Sequence, residues 1–340
     1  NQLGEVLTRK GGLKDESANR LIGKYVYLRY LRDRGILTDE WMRGKNISPD
    51  GVFSLKATVA ELKRLVKELE ERFNGKIFPI NFEEEESLKD KHVQWVAAIF
   101  SGAKIVDSDE TPDDSTTGIV MQLALPFKAY DFEYIPVETL SSIYEQFIFE
   151  RKSKGAVYTP EVLADYVIAE TDSVKRLKRG MKILDPACGS GIFLVLVYRL
   201  LIEREILQRG GGKLNAKDLL DLLEESIYGV EREPDACYVA EFGLIHTLLH
   251  YLEPRDLQSL DFRFPALHNS RIFQCDFFDI DGEENAAGFW QKGLAFDWVI
   301  GNPPWIMIKG NIGKSENAFA YNWMKNPANK NRPVGDNQIA

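Results

Sequence analysis

The sequence predicts an α/β protein, with a parallel sheet covered by helices over residues 151–340 and a mainly helical domain in front of it. Two observations carry the prediction. From Gly155 onward, short apolar strands alternate with longer apolar helices. Each of those strands is followed at once by a polar or glycine-rich group.

The elements follow in order. In residues 1–75, Leu21, Tyr25, Leu28 and Leu31 share one helix face, and Gly35 is placed to end that helix. A second helix starts after Thr58, runs through Leu62, Leu65, Val66 and Leu69, and stops near Gly75. Residues 80–118 are mixed, with a helix around His92–Phe100 and a polar loop. A strand is expected within GIVMQLALPF, followed by a helix rich in Ile143, Phe147 and Ile148. Beyond Gly155 the strands are MKILD (181–185), IYGVE (227–231), RIFQC (271–275) and FDWVIG (296–301). Helices run from Ile192 to about Leu207 and from about Pro234 to Tyr251. The expected organisation is a helical domain over 1–80, an acidic mixed subdomain over 81–150 and the sheet domain over 151–340.

Composition bounds the function. With 340 residues, 44% apolar and 28% charged, the chain is expected to fold as a soluble globular protein of two or three domains. No run of 18 apolar residues appears, so no membrane partner is expected. The N-terminus has no apolar signal core. Three cysteines make no disulfide framework or metal cluster and suit a reducing cytoplasm.

The net charge of −9 argues, taken whole, against a nucleic-acid partner. Its distribution reverses that. Residues 1–80 carry +5, residues 81–150 carry −11 and residues 151–340 carry −3. The deficit is one acidic block, read as a solvated face. Residues 301–340 hold five Lys and Arg against two acids.

The groups after the four strands have complementary chemistry, and open α/β sheets bind ligands at the carboxyl ends of their strands. The turn Asp185-Pro186-Ala187-Cys188-Gly189-Ser190-Gly191 lets backbone approach a ligand closely. It lacks the spacing of a dinucleotide or phosphate loop, so a nucleoside without a pyrophosphate fits better. Glu231 can accept both hydroxyl hydrogens of a ribose. Asp276 can accept from an adenine amine while Phe277 packs on its face. In Asn302-Pro303-Pro304-Trp305 the prolines stiffen the backbone. The Asn302 side-chain oxygen and the Pro303 carbonyl can both accept hydrogens from one exocyclic amine, and Trp305 can stack on the base that carries it. Upstream, Tyr158-Thr159-Pro160 reads as a helix start, with Thr159 as N-cap and Pro160 as first helical residue, a place that favours a carboxylate such as that of a methionine moiety.

GAVYTP, DPACGSG, Glu231, CDFF and NPPW, in that order over roughly residues 135–310, resemble the amino-methyltransferases that use S-adenosylmethionine, above all the DNA adenine-N6 enzymes. The segments RLIGKYVYLRYLRDRGIL and LSSIYEQF are similar to the helical lead-in of restriction–modification methylases, either Type I modification subunits or fused Type II enzymes. The resemblance implies a Rossmann-like methyltransferase sheet. It implies that Tyr158, Thr159 and the loop from Asp185 to Gly191 hold the methionine part, Glu231 the ribose, and Asp276 and Phe277 the adenine of the cofactor. Asn302, Pro303, Pro304 and Trp305 would receive an adenine flipped out of double-stranded DNA, whose N6 amine takes the methyl group. A specificity or nuclease subunit, or a fused domain beyond residue 340, is the implied partner. The sequence departs from the family by ending soon after NPPW. The sheet is therefore expected to be incomplete at its C-terminus, and an N-terminal fragment of this extent is expected to methylate weakly or not at all.

Two alternatives share the residues. Protein-glutamine and ribosomal-RNA methyltransferases also use NPP-aromatic motifs, and a non-catalytic cofactor- or DNA-binding module would keep the same fold. Other patterns lead nowhere. Pro49-Asp50 with Glu61 and Lys63 imitates a nuclease motif, but Glu61 starts a periodic helix. His246 and His250 lack the intervening glutamate of a zinc helix, so no metal is expected. Cys188 has no base spaced to activate it.

Overall fold

The computed structural model describes residues 2–73, 77–83, 87–102, 159–252, 254–257, 262–282, 289–303, 306–307, 318–329 and 338–339. Two compact units result, Asn1–Pro136 with Pro254–Phe264 and Val137–Glu253 with Pro265–Ala340. The strand expected within 118–127 and the helix expected around Ile143 lie outside the described residues.

The described part of the first unit is helical. Helix α1 (Asp15–Asp33) buries Leu21, Tyr25, Leu28 and Leu31, the face its spacing predicts, and ends two residues before Gly35. The Tyr25 hydroxyl donates to the Val52 carbonyl at 2.7 Å, so this buried aromatic keeps its polar end satisfied. Helix α2 (Val59–Phe73) buries Leu62, Leu65, Val66 and Leu69. It begins where the Thr58 hydroxyl accepts the Glu61 N–H at 3.2 Å. Helix α3 (Asp90–Phe100) carries the fully buried His92, whose Nδ1 accepts the Lys89 N–H at 3.0 Å while Nε2 lies 3.0 Å from the Gly11 carbonyl oxygen.

The second unit is built on a four-stranded, all-parallel sheet. Its strands are β1 (Ile183–Asp185), β2 (Ile227–Glu231), β3 (Ile272–Gln274) and β4 (Trp298–Val299), in the order β3-β2-β1-β4. Ile183 faces Ile227 on one side and Trp298 on the other, and Gly229 faces Ile272. Ile183, Leu184, Ile227, Val230, Ile272 and Phe273 are all buried, the continuous apolar pattern of strands covered on both faces. Each such side chain contributes on the order of 1.5–3 kcal/mol. All four strands form where sequence alternation predicts them; β2 spans its predicted residues, and the other three are shorter. A two-stranded antiparallel pair, Ile306–Met307 with Gln338–Ile339, follows.

Four helices dress this sheet: α4 (Glu161–Val174), α5 (Ile192–Gln208), α6 (Ala216–Ser226) and α7 (Pro234–Tyr251). Helices α5 and α7 are buried along most of their length. Helix α4 is tied to α5 by Arg204, whose guanidinium donates to both Asp172 carboxylate oxygens at 2.7 and 2.5 Å and to the Leu177 carbonyl at 2.7 Å. That paired charge holds the Asp172 carboxyl below its usual range.

The order of the strands matters most for function. From β1 the chain moves outward to β2 and β3, then returns to the other side of β1 for β4. The boundary between β1 and β4 is a topological switch point, where the loops leaving two adjacent strands diverge and open a crevice.

Candidate functional site

The predicted site residues that the structure describes come together at the carboxyl ends of these strands. Strand β1 ends at Asp185, which is buried, and its carboxylate accepts the Ala187 N–H at 3.1 Å. The turn beyond it is pinned to the neighbouring strand, because the Cys188 N–H donates to the Val230 carbonyl at 2.9 Å. Gly191 closes the turn at φ +85, and a Cβ there would lie 2.9 Å from that of Ala240 on α7. Both the backbone conformation and the close helix demand glycine at this position. A Cβ built on Gly189, by contrast, meets nothing within 4 Å, so the turn faces open space. Pro186, Ala187 and Gly189 are partly exposed toward it.

Glu231, at the end of β2, grips that turn. One carboxylate oxygen accepts the Gly189 N–H at 3.0 Å, and the other accepts the Glu233 N–H at 2.8 Å. Burial pushes its carboxyl up, against those N–H groups, which favour the charged form. The Glu231 carbonyl accepts the Cys275 N–H at 3.1 Å, and this brings the end of β3 alongside. There the Asp276 carboxylate accepts the Phe278 N–H at 2.8 Å and lies 3.7 Å from the Arg232 guanidinium. Phe277 packs against the core of Leu184, Tyr228, Val230, Phe273 and Phe289. Trp290 lies 5.0 Å from it, centroid to centroid, and donates its indole N–H to the Phe277 carbonyl at 2.7 Å.

On the other side of β1, the Ile300 N–H donates to the Leu184 carbonyl at 2.9 Å. Gly301, Asn302 and Pro303 follow, all partly exposed. The Asn302 side-chain amide donates to the Thr159 hydroxyl at 3.2 Å. Thr159 itself is buried. This corrects one expectation. Pro160 has ψ of 140°, so it is the cap residue and the helix begins at Glu161. An extended Pro160 carries Thr159 out of the capping position, and its hydroxyl serves Asn302 instead. Tyr158, Pro304 and Trp305 lie outside the described residues.

Two sets of contacts therefore meet at the sheet end: Thr159 with Asn302 beyond β4, and Asp185 and the glycine turn with Glu231, Arg232 and Asp276 beyond β1, β2 and β3. Sequence reasoning had no signal for the Thr159–Asn302 bond, for Arg232 beside Asp276 or for Trp290 beneath Phe277. Each joins positions that only the folded sheet makes adjacent.

Electrostatics separate the roles. Burial pushes the Asp185 carboxyl from 3.8 to about 7, the Ala187 N–H opposing this and the Glu231 charge adding to it. Burial likewise raises the Cys188 thiol, which leaves it a packed side chain against Gly229 rather than a nucleophile. Glu61 of the imitated nuclease motif lies on α2, where its carboxylate accepts the Ser48 N–H at 2.8 Å and pairs with Arg64 at 2.6 Å.

Asp185 has a measurable consequence. Below pH 3.8 its carboxyl is neutral whether folded or unfolded. Between there and about 7 the unfolded chain loses the proton while the folded one keeps it, so this group's contribution to stability falls as pH rises. The total is bounded by a few kcal/mol. Asp185→Asn keeps the shape and an acceptor for Ala187 but cannot ionise. Its thermal midpoint relative to wild type is expected to rise steadily between pH 4.5 and 7.5. A flat difference across that range would show that Asp185 does not titrate as described.

The model of the N-6 DNA methylase family matches residues 137–333, more than half of the chain, and spans every strand and loop of this site. A Type II restriction enzyme and methyltransferase of Escherichia coli, RM.Eco57I, is 22% identical over 348 residues, covering 89% of this chain and 32% of that protein. A Type I restriction enzyme methylase subunit of Methanocaldococcus jannaschii, MjaVII, is 25% identical over 191 residues, 55% of this chain and 26% of the subunit. The chain thus spans about a third or less of these relatives. Among solved structures, the Type IIL restriction-modification enzyme MmeI in complex with DNA shares the fold at a TM-score of 0.50 and 18% identity, over 90% of this chain and 42% of that one. With the family match covering the same strands and loops that the structure gathers at the switch point, the chain belongs to the N-6 DNA methylase family.

Proposed function

We propose that this chain forms the cofactor site and target-base pocket of a restriction–modification methyltransferase that methylates the N6 amine of adenine in double-stranded DNA. The observation that carries the reading is the switch point itself. The glycine turn after β1 and the Asn302 loop after β4 leave adjacent strands, so a donor on one and an acceptor base on the other would meet in one crevice.

The residues fit S-adenosylmethionine. The turn at Gly189 has room in front of it, the Glu231 carboxylate retains lone pairs for a ribose diol, and Asp276 with Phe277 offers an acceptor and a ring to an adenine. When bound, that cofactor supplies an electrophilic methyl group on a sulfonium. The turn from Asp185 to Gly191, with Tyr158 and Thr159, holds its methionine end.

The protein's part is positioning. Donation from the Asn302 amide nitrogen to Thr159 sets the direction of its side-chain oxygen. That oxygen and the Pro303 carbonyl accept the two hydrogens of the target amine. Accepting both would keep the nitrogen lone pair localised and available to the methyl group. The amine loses its proton only after attack, so no strongly basic side chain is required. Pro304 stiffens the loop. Trp305 supplies a face for the flipped base, which repays part of the few kcal/mol spent on unstacking it. A duplex-DNA substrate and three free cysteines fit a cytoplasmic protein. The lengths of the relatives point to further domains or subunits that select the sequence and cut unmodified DNA.

The test is single-molecule sequencing of methylated adenines in DNA from cells with and without the intact gene. Methylation of one short motif that depends on the gene supports the reading. Methylation confined to ribosomal RNA or to a protein glutamine would replace it with another substrate of the same chemistry.

A further inference from the structure

Asp185 lies between the two halves of the crevice. One carboxylate oxygen accepts the Ala187 N–H at 3.1 Å, inside the glycine turn. The same carboxylate oxygen faces Gly301, the residue before Asn302. A Cβ built on Gly301 would approach one Asp185 carboxylate oxygen without room for it and lie 3.0 Å from the carboxylate carbon. The Ile300 N–H, bonded to the Leu184 carbonyl at 2.9 Å, brings Gly301 level with Asp185. The side chain is buried, so it has no freedom to swing toward solvent. It acts as a spacer of defined thickness between the turn and the Asn302 loop.

We propose that Asp185 is a positioning residue that sets the distance between the cofactor turn and the target-base loop by direct contact with Gly301. This rests on the function proposed above and deepens it. In-line transfer demands that donor and acceptor be held at one separation, and an error near 1 Å is costly. A carboxylate bonded to one loop and seated on the glycine of the other transmits that separation without touching the reacting atoms. Gly301 is needed because any side chain there would push the Asn302 loop outward.

The experiment compares Gly301→Ala, Asp185→Ala and the double variant in the intact protein. Gly301→Ala is expected to lower kcat for DNA methylation about 100-fold, while the Kd of S-adenosylhomocysteine, measured by calorimetry, moves less than about 3-fold. Asp185→Ala removes the spacer and is itself expected to lower kcat about 10-fold, but it also removes the atoms that the added methyl at position 301 would strike. The double variant is therefore expected to regain about 10-fold of the lost rate, to recover thermal midpoint relative to Gly301→Ala, and to restore amide-exchange protection at residues 300–302. A Gly301→Ala enzyme within about 3-fold of wild-type kcat overturns the proposal, as does a double variant that recovers neither midpoint nor protection. Absence of DNA methylation by the wild type would sink the functional reading alone. Midpoint and exchange would still decide the spacer, because neither requires turnover.

Discussion

Asn302→Ala is expected to lower methyl transfer to DNA by about 10²–10³-fold, or roughly 3–4 kcal/mol in the barrier, with affinity for S-adenosylhomocysteine within about 3-fold of wild type. The asymmetry follows from position. Asn302 leaves β4, whereas the groups assigned to the cofactor, apart from Tyr158 and Thr159 ahead of α4, leave β1, β2 and β3. The donation to Thr159 occupies its amide nitrogen and thereby points its oxygen. Alanine removes an acceptor that is fixed in orientation. Thr159→Val provides the graded comparison. The acceptor remains but its orienting partner is lost, so about a 10-fold fall in kcat is expected. Single-turnover methylation of a duplex by the intact protein, with calorimetry of the cofactor product, separates the two quantities. If Asn302→Ala methylates at the wild-type rate, the target pocket lies elsewhere.

The four strands of the sheet and helices α5 and α7 were legible because each is a local pattern, whereas helix α6 was not anticipated. IYGVE is an apolar run of strand length, and Pro234 to Tyr251 is an apolar run too long for one. Parallel pairing follows from the alternation of the two. The site was legible for a different reason. Its groups follow the strands immediately, so knowing the strands places the groups at one end of the sheet. Contacts between groups were not legible. Thr159 and Asn302 stand 143 residues apart, and nothing in either neighbourhood announces the other. TP at 159–160 carries the ordinary signal of a capped helix, and the tertiary bond prevailed over it. Gly301 reads as one more glycine at a strand end until the buried carboxylate beside it is seen.

Glu231→Ala should produce the opposite pattern from Asn302→Ala: loss of cofactor affinity by about 10²–10³-fold, with the residual rate recoverable at high cofactor concentration. In the fold Glu231 does two things at once. Its carboxylate accepts N–H groups from Gly189 in the turn and from Glu233 at the start of α7, and so staples the turn against β2. Its remaining lone pairs are those assigned to the ribose. Alanine strips partners from both N–H groups, each worth about 1–3 kcal/mol where water cannot substitute, and frees the turn that must face the methionine end. Glu231→Gln tests which loss dominates. An amide has one accepting end, so either Gly189 or Glu233 would face a donor instead of an acceptor. If the staple matters most, glutamine should behave almost as badly as alanine and should lower the thermal midpoint with it. If the ribose contact matters most, glutamine should keep the midpoint and lose affinity by about 10-fold. Calorimetry with S-adenosylhomocysteine and thermal unfolding, run on the same three proteins, distinguish these outcomes. Unchanged affinity in Glu231→Ala would remove the cofactor from the carboxyl end of β2.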